Sequence, residues 1–256
     1  MPAALVTGGA ARLGRAMVLY LASRGYDVAV HYHSNEAAAR DVAAQAGGKS
    51  VVLRADLLDE TQTNRLLPDA TRLLGQPVTV LINNASIFEY DTVQTATKDS
   101  WDRHMGSNLR APFLLTQALA AQAPSAGVDE CGEPVASALV VNMVDQRVRK
   151  LTPEFMTYTL AKMGLWAFTQ TAAMGLAPQI RVNAIGPGPT LQGARQSDEH
   201  FGRQRANTVL KRGANPADIT AALGYFLDAP AVTGQLLCVD GGQHLGWQTP
   251  DILGVE

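Results

Sequence analysis

The 256 residues carry 21 Lys and Arg against 23 Asp and Glu, a formal net charge of −2, which gives no electrostatic case for nucleic acid or an anionic membrane surface as partner. A hydrophobic share of 46% with 17% charged residues suits a compact soluble core, and the length fits one doubly wound domain over 1–256. No apolar run reaches the roughly 18 to 20 residues that a bilayer span needs. Cys131 and Cys238 stand far apart with no ligand spacing, and no basic and apolar leader opens the chain, so the expected compartment is the cytoplasm.

The first apolar run, Ala3–Val6, reads as a strand and runs into Thr7-Gly8-Gly9-Ala10-Ala11-Arg12-Leu13-Gly14. A helical pattern follows from Ala16 to Ala22. Strand, glycine-rich turn and helix together aim backbone N–H groups and a helix N-terminus at an anion, most often a pyrophosphate. Gly8 and Gly9 allow the tight turn and Gly14 the close helix–strand packing. Taken singly, such a loop is a weak signal.

Tyr26–Tyr32 is the second strand, and Ser34 or Asn35 is set to cap an Ala-rich helix over Glu36–Gln45. Ser50–Arg54 makes a third strand leading to Asp56 and Leu57, and a helix over Thr61–Leu74 must be bent or interrupted at Pro68. Thr79–Ile82 is the fourth strand and leads into Asn83-Asn84-Ala85-Ser86. Ser100–Gln122 is helical with an irregularity at Pro112, and Pro124–Pro134 is a loop longer than a bare helix-to-strand link. Ala138–Met143 is strand five, Phe155–Ala177 a long helix and Ile180–Ile185 strand six, closed by Gly186-Pro187-Gly188-Pro189. The polar stretch 190–213 allows one short helix; Pro216 then opens a helix to Leu227, and Gln235–Val239 is the last strand. This alternation implies an α/β fold: one Rossmann-like, doubly wound parallel sheet of about seven strands with helices on both faces.

Tyr158 and Lys162 are four apart on one helix face. A nearby ammonium favours the phenolate and is expected to lower the tyrosine pKa, so that the phenol can pass a proton while a cofactor passes hydride. Such a pair is common on helix surfaces, and its meaning comes from the company it keeps. The Thr7–Gly14 loop, Asn83-Asn84-Ala85, Asn108, Tyr158-Thr159-Leu160-Ala161-Lys162 and Pro187-Gly188 occur in order and at spacings that resemble the short-chain dehydrogenase/reductases across essentially the whole chain. Arg12 stands where that family has the middle glycine of its loop.

The resemblance implies an oxidoreductase. It makes Tyr158 the proton donor, Lys162 the residue that holds the nicotinamide ribose and tunes the tyrosine, and Asn108 the support of a water-linked proton relay. It also places Gly8, Arg12, Leu13, Gly14, Asp56, Leu57, Asn84, Ala85, Ser86, Pro187 and Gly188 along the cofactor. In the family a serine usually lies thirteen residues before the tyrosine; here that position is Asp145. An ionised carboxylate has no proton to give and repels the oxyanion of a reduced ketone, whereas it stabilises a protonated ring nitrogen. Asp145 therefore argues for C=N reduction in a nitrogen heterocycle.

With that residue the resemblance narrows. The Arg12 loop, His31-Tyr32-His33-Ser34, Asn84-Ala85-Ser86, Asn142-Met143-Val144-Asp145 and the Tyr158/Lys162 pair look like pteridine reductases and bacterial dihydromonapterin reductases. That likeness implies a pterin or folate substrate bordered by Arg12, Ser86, Phe88, Asp145 and Tyr158, with Phe88 stacking the flat ring against the nicotinamide. It further implies a homotetramer. Strand two ends on Tyr32, His33 and Ser34 with no carboxylate before Glu36, where an NAD enzyme places an acidic residue on the ribose. Neutral donors and Arg12 welcome a 2′-phosphate, so NADPH is the expected cofactor. His31 and His33 share a strand face with no third ligand nearby, and no metal is expected. Two other readings stand beside this one: a carbonyl reductase of the same family, acting on a ketoacyl thioester or another ketone, and a non-catalytic nucleotide-binding sensor or scaffold.

Overall fold

A computed structural model describes residues 2–193 and 196–249. Seven parallel strands form the sheet: β1 Ala3–Val6, β2 Asp27–Tyr32, β3 Ser50–Arg54, β4 Val78–Asn83, β7 Ala138–Met143, β8 Ile180–Pro187 and β9 Leu236–Val239. Two further short strands, β5 Gly127–Val128 and β6 Pro134–Val135, pair antiparallel as a separate hairpin inside the long loop expected after residue 124. The sheet order is β3-β2-β1-β4-β7-β8-β9. The chain therefore winds outward in one direction from β1 and then in the other from β4, and the strand ends β1 and β4 flank the crevice where such sheets bind ligands.

Period-two alternation divides each central strand between two cores. On β1, Ala4 and Val6 join Met17, Leu21, Val30, Ile82, Leu223 and Phe226 on one face. Ala3 and Leu5 join Leu66, Leu67, Leu81, Leu115 and Leu119 on the other. Helices α1 (Arg12–Ser23), α2 (Glu36–Ala46) and α8 (Pro216–Asp228) supply the first layer, and α3 (Glu60–Leu74), α5 (Ala111–Gln122) and α6 (Met156–Gly175) the second. Both sheet faces being covered, the strands read as apolar runs. A short α7 (Asp198–Ala206) lies in the polar stretch after β8.

Caps set the boundaries. Asn35 accepts from the Ala38 N–H at the head of α2, and Asp59 from Thr61 and Gln62 at the head of α3. Pro68 lies within α3 without ending it. Both Pro68 and Asn64, whose carbonyl loses its helical donor, face solvent, while Leu66, Leu67, Ala70 and Leu74 remain packed. The helical stretch over 100–122 is divided instead: α4 (Lys98–Met105) meets α5 through a π turn, Gly106–Arg110, and the irregularity falls at the turn that carries Asn108.

His31, at the end of β2, ties the glycine loop to the sheet. Its Nδ1 accepts from the Gly8 N–H at 3.0 Å, which leaves Nε2 to donate to the Ala55 carbonyl at 3.1 Å. The ring is 2% exposed, and burial lowers its pKa to about 4, the Ala55 bond opposing. The unfolded chain thus takes up the proton first, so the fold is at full strength above pH 6.5 and weakens as pH falls toward 4. Between those limits about 3 kcal/mol of unfolding free energy is expected to be lost through this group, at about 1.4 kcal/mol per pKa unit. Denaturant titrations of wild type and His31→Gln across that range should converge as the pH drops; parallel curves would exclude the role.

Candidate active site

The site lies over the carboxyl ends of β1, β4, β7 and β8. The Thr7 hydroxyl accepts from the Asn84 and Ala85 N–H groups at 2.9 and 3.0 Å and donates to the Ile82 carbonyl at 3.3 Å. The Asn84 amide donates to the Thr7 and Gly8 carbonyls at 2.8 and 3.3 Å. A Cβ on Gly14 would lie 2.1 Å from the Gly8 oxygen, so only glycine fits there. The N–H groups of Gly8 and Gly9 do not point at a ligand, contrary to the sequence expectation: they are taken by the ring and carbonyl of His31. The anion-facing donors are left to the first turn of α1.

A cavity of about 420 Å³ opens here, bounded by Gly8, Arg12, Leu13, Gly14, Asn84, Ala85, Ser86 and Gly188 among others. Most of the expected cofactor residues thus share one cavity. Pro187 precedes Gly188 at the end of β8, while Tyr32, His33, Ser34, Asp56 and Leu57 lie beyond it at the ends of β2 and β3. Asp56 holds the Leu58 N–H and sits 3.8 Å from His33. Arg12 adopts φ +52°, in the left-handed region that a glycine enters freely. Its guanidinium donates to the carbonyls of Leu191 and Gln192 at 3.0 and 2.9 Å, bracing the glycine loop against the segment after β8. A larger cavity of about 730 Å³ lies against β9 and α8 and contains none of the expected site residues.

Asp145 leaves β7 and caps a 3-10 turn, Gln146–Val148. Its Oδ1 accepts the Arg147 N–H and its Oδ2 the Tyr158 hydroxyl, both at 2.8 Å. Lys162, buried one turn along α6, donates to the Met143 carbonyl at 2.8 Å and lies 5.6 Å from the Tyr158 ring centre. Burial raises the Asp145 pKa, opposed by its two hydrogen bonds and by Arg147 and Lys162. Burial lowers Lys162 to about 8, with Asp145 opposing. The tyrosine departs from expectation. Burial first, then the Asp145 carboxylate, hold its pKa well above the ordinary 10, and Arg147 and Ser86 oppose only in part. The lysine charge alone favours a lower value, but desolvation and the neighbouring carboxylate outweigh it. The shift keeps the proton on the Tyr158 hydroxyl.

Asn108 does not touch Tyr158 or Lys162 by a hydrogen bond. Its amide clamps the Ile87 backbone, donating to the carbonyl and accepting the N–H, each at 2.8 Å. This fixes the segment that carries Phe88, whose ring stacks on Phe155 at 4.3 Å and 8° and meets the edge of Tyr158 at 4.7 Å.

Several contributors were not singled out from sequence. Buried His104 accepts the Glu89 N–H at 3.1 Å, so its Nδ1 donates to the Thr157 hydroxyl at 2.6 Å, and Thr157 in turn donates to Asp91. This buried chain locks residues 89–91 to the head of α6 beside Tyr158. Phe155 caps α6 at φ +56°, a rare conformation for a bulky residue, and Arg147 covers its ring. The placement of Arg147 two residues after Asp145, and of Phe155 three before Tyr158, was the available signal.

Residues 8–244 match the family model described as enoyl-(acyl carrier protein) reductase. The NADP complex of FolM alternative dihydrofolate reductase 1 from Brucella suis is 41% identical, with TM-score 0.90 and 98% of each chain covered. Its Brucella canis counterpart, also with NADP, is 39% identical, with TM-score 0.88 and the same coverage. Pteridine reductase 1 of Leishmania tarentolae is 29% identical over 289 aligned positions, covering 95% of this chain and 96% of the relative.

The protonation of Tyr158 is directly measurable. An ultraviolet difference titration of wild type against Tyr158→Phe should show no phenolate from this residue up to pH 10. A phenolate appearing near neutrality would contradict the assignment.

Proposed function

The chain belongs to the short-chain dehydrogenase/reductase family of oxidoreductases, and we propose that it uses NADPH to reduce a C=N bond in the ring of a dihydropterin or dihydrofolate. The observation that carries this reading is the 2.8 Å bond from the Tyr158 hydroxyl to Asp145, where the family's serine would stand. A serine there gives a hydroxyl proton to a carbonyl; a carboxylate accepts N–H groups from a nitrogen ring and opposes the oxyanion of a reduced ketone. Similarity to the two Brucella dihydrofolate reductases and to the Leishmania pteridine reductase supports the same substrate class.

The residues at the end of β2 fit a 2′-phosphate. Glu36, the first carboxylate after the strand, is tied to Arg40 at 2.6 Å, and its pKa is lowered by that bond and then by Tyr32. His33 is exposed, and Arg54 lies beside it, donating to its carbonyl at 3.3 Å. The cavity at the head of α1 suits the pyrophosphate. NADPH bound there supplies hydride to a ring carbon. Tyr158 delivers the proton, Lys162 holds the ribose and offsets the developing charge, and Asp145 orients the ring through its N–H groups. Asn108 keeps the Phe88 segment in place, and its part in a water-linked relay belongs to this proposal, as does stacking of the substrate ring by Phe88. Arg12 and Ser86 complete the border of the ring. A cytoplasmic homotetramer belongs to the same reading.

The test is NADPH oxidation, followed by the cofactor's own absorbance, with dihydropterins and dihydrofolate beside acetoacetyl thioester and simple diketones. Turnover of the pterins, with NADPH preferred to NADH, is the expected result. Turnover of ketones only would establish an ordinary ketone reductase, and tight NADPH binding without turnover a sensor. Arg12→Gly, which removes the left-handed side chain, should leave stability within about 1 kcal/mol while raising the KM for NADPH. An unchanged KM would remove Arg12 from the cofactor site.

A further inference from the structure

Arg147 lacks the carboxylate partner that several other arginines have. Arg24, Arg40, Arg72, Arg103, Arg110 and Arg212 each reach a carboxylate within 3.0 Å. Among the described residues Arg147 makes no such pair. Its guanidinium lies 5.1 Å over the Phe155 ring, its Nη1 donates to the Thr152 hydroxyl, and its Nε is shielded from solvent with no partner at all. A half-buried cation with an unmet donor is costly unless an anion completes it.

The carboxylate nearest in sequence does not serve. The Asp145 oxygens take the Arg147 backbone N–H and the Tyr158 hydroxyl and make no bond to the guanidinium. Nor does Arg147 border the cavity at the glycine loop, so the cofactor phosphates are not its partner. It stands at the other side of the reacting centre. Guanidinium, Phe155 and Phe88 form one stack, and that stack ends on the edge of Tyr158, 4.7 Å from the Phe88 ring centre. Its charge is felt at the phenol, where it opposes the rise in pKa.

We propose that Arg147 is a binding site for a carboxylate carried on the substrate outside the flat ring, and so selects a dihydropterin with an acidic tail over one without. The planar guanidinium matches a carboxylate in fork geometry, and its stack on Phe155 holds that plane in one orientation. The Nε left without a partner marks an incomplete donor set on that guanidinium. The proposal rests on the pterin reading above and goes beyond it by setting which member of the class is preferred.

The experiment compares kcat/KM for dihydrofolate with that for dihydrobiopterin, which lacks a carboxylate, in wild type, Arg147→Gln and Arg147→Lys, all with NADPH. The ratio of the two values is expected to fall about tenfold in Arg147→Gln, the scale of one charge-assisted hydrogen bond, and to be partly restored in Arg147→Lys. The loss should sit in KM for dihydrofolate. Raising the salt should shrink the ratio in wild type and leave it level in Arg147→Gln. Calorimetric binding of folate against biopterin to the NADP-loaded protein should show the same split. A fall of both substrates together, with the ratio unchanged, would overturn the carboxylate site and reduce Arg147 to support of Asp145 and Phe155. Wild type that turns over neither pterin would overturn the pterin reading itself and this inference with it.

Discussion

The Thr7 hydroxyl is the point on which the site hangs. It stands at the end of β1, where the sheet reverses its winding, and collects two N–H groups from the segment after β4 while donating back to Ile82. A buried hydroxyl with three partners is fully satisfied, and such a group specifies geometry because any slip leaves polar atoms unpaired. Asn84 and His31 extend the junction, one across to the glycine loop and the other from β2. The loop is therefore held from both neighbouring strands before any ligand arrives, and a preformed cavity costs less to fill.

The second constraint comes from the opposite side, where β7 and α6 bring Asp145, Tyr158 and Lys162 together in a buried setting. Burial pushes the carboxyl and the phenol up and the lysine down. All three shifts oppose charge; hydrogen bonds temper the one at Asp145, whereas the bond to Asp145 adds to the one at Tyr158. The consequence for chemistry is specific: the phenol keeps its proton, and a carboxylate occupies the place of a neutral donor. Around this core, the His104–Thr157–Asp91 chain and the Asn108 clamp fix the loop that presents Phe88. The strained Phe155 at the head of α6 is tolerated because Phe88, Tyr90 and Arg147 all pack on its ring.

Much of this was legible in the residue order. Apolar runs punctuated by glycine and proline located every strand of the main sheet, since strands buried on both faces show as unbroken apolar segments. Motif spacing brought Gly8, Arg12, Gly14, Asn84 and Ser86 to one cavity and put Tyr158 beside Asp145. What sequence missed depends on three-dimensional neighbours. The direction of the Tyr158 shift turned on burial and on a residue thirteen positions away. The roles of His104 and Asp91 needed the α4–α6 contact, and the expected bend or interruption at Pro68 left open that the helix runs on, because the proline's exposure, which lets water meet the freed carbonyl, has no local signature.

The central claim is that Asp145 turns a ketone-reducing scaffold toward C=N bonds, and a single substitution tests it. Asp145→Ser restores the family's usual donor, and its kcat/KM is to be measured on a dihydropterin and on a ketone beside wild type. Pterin turnover lower by at least about 100-fold, with ketone turnover equal to or above that of wild type, is the predicted result. Undiminished pterin reduction by Asp145→Ser would contradict the claim.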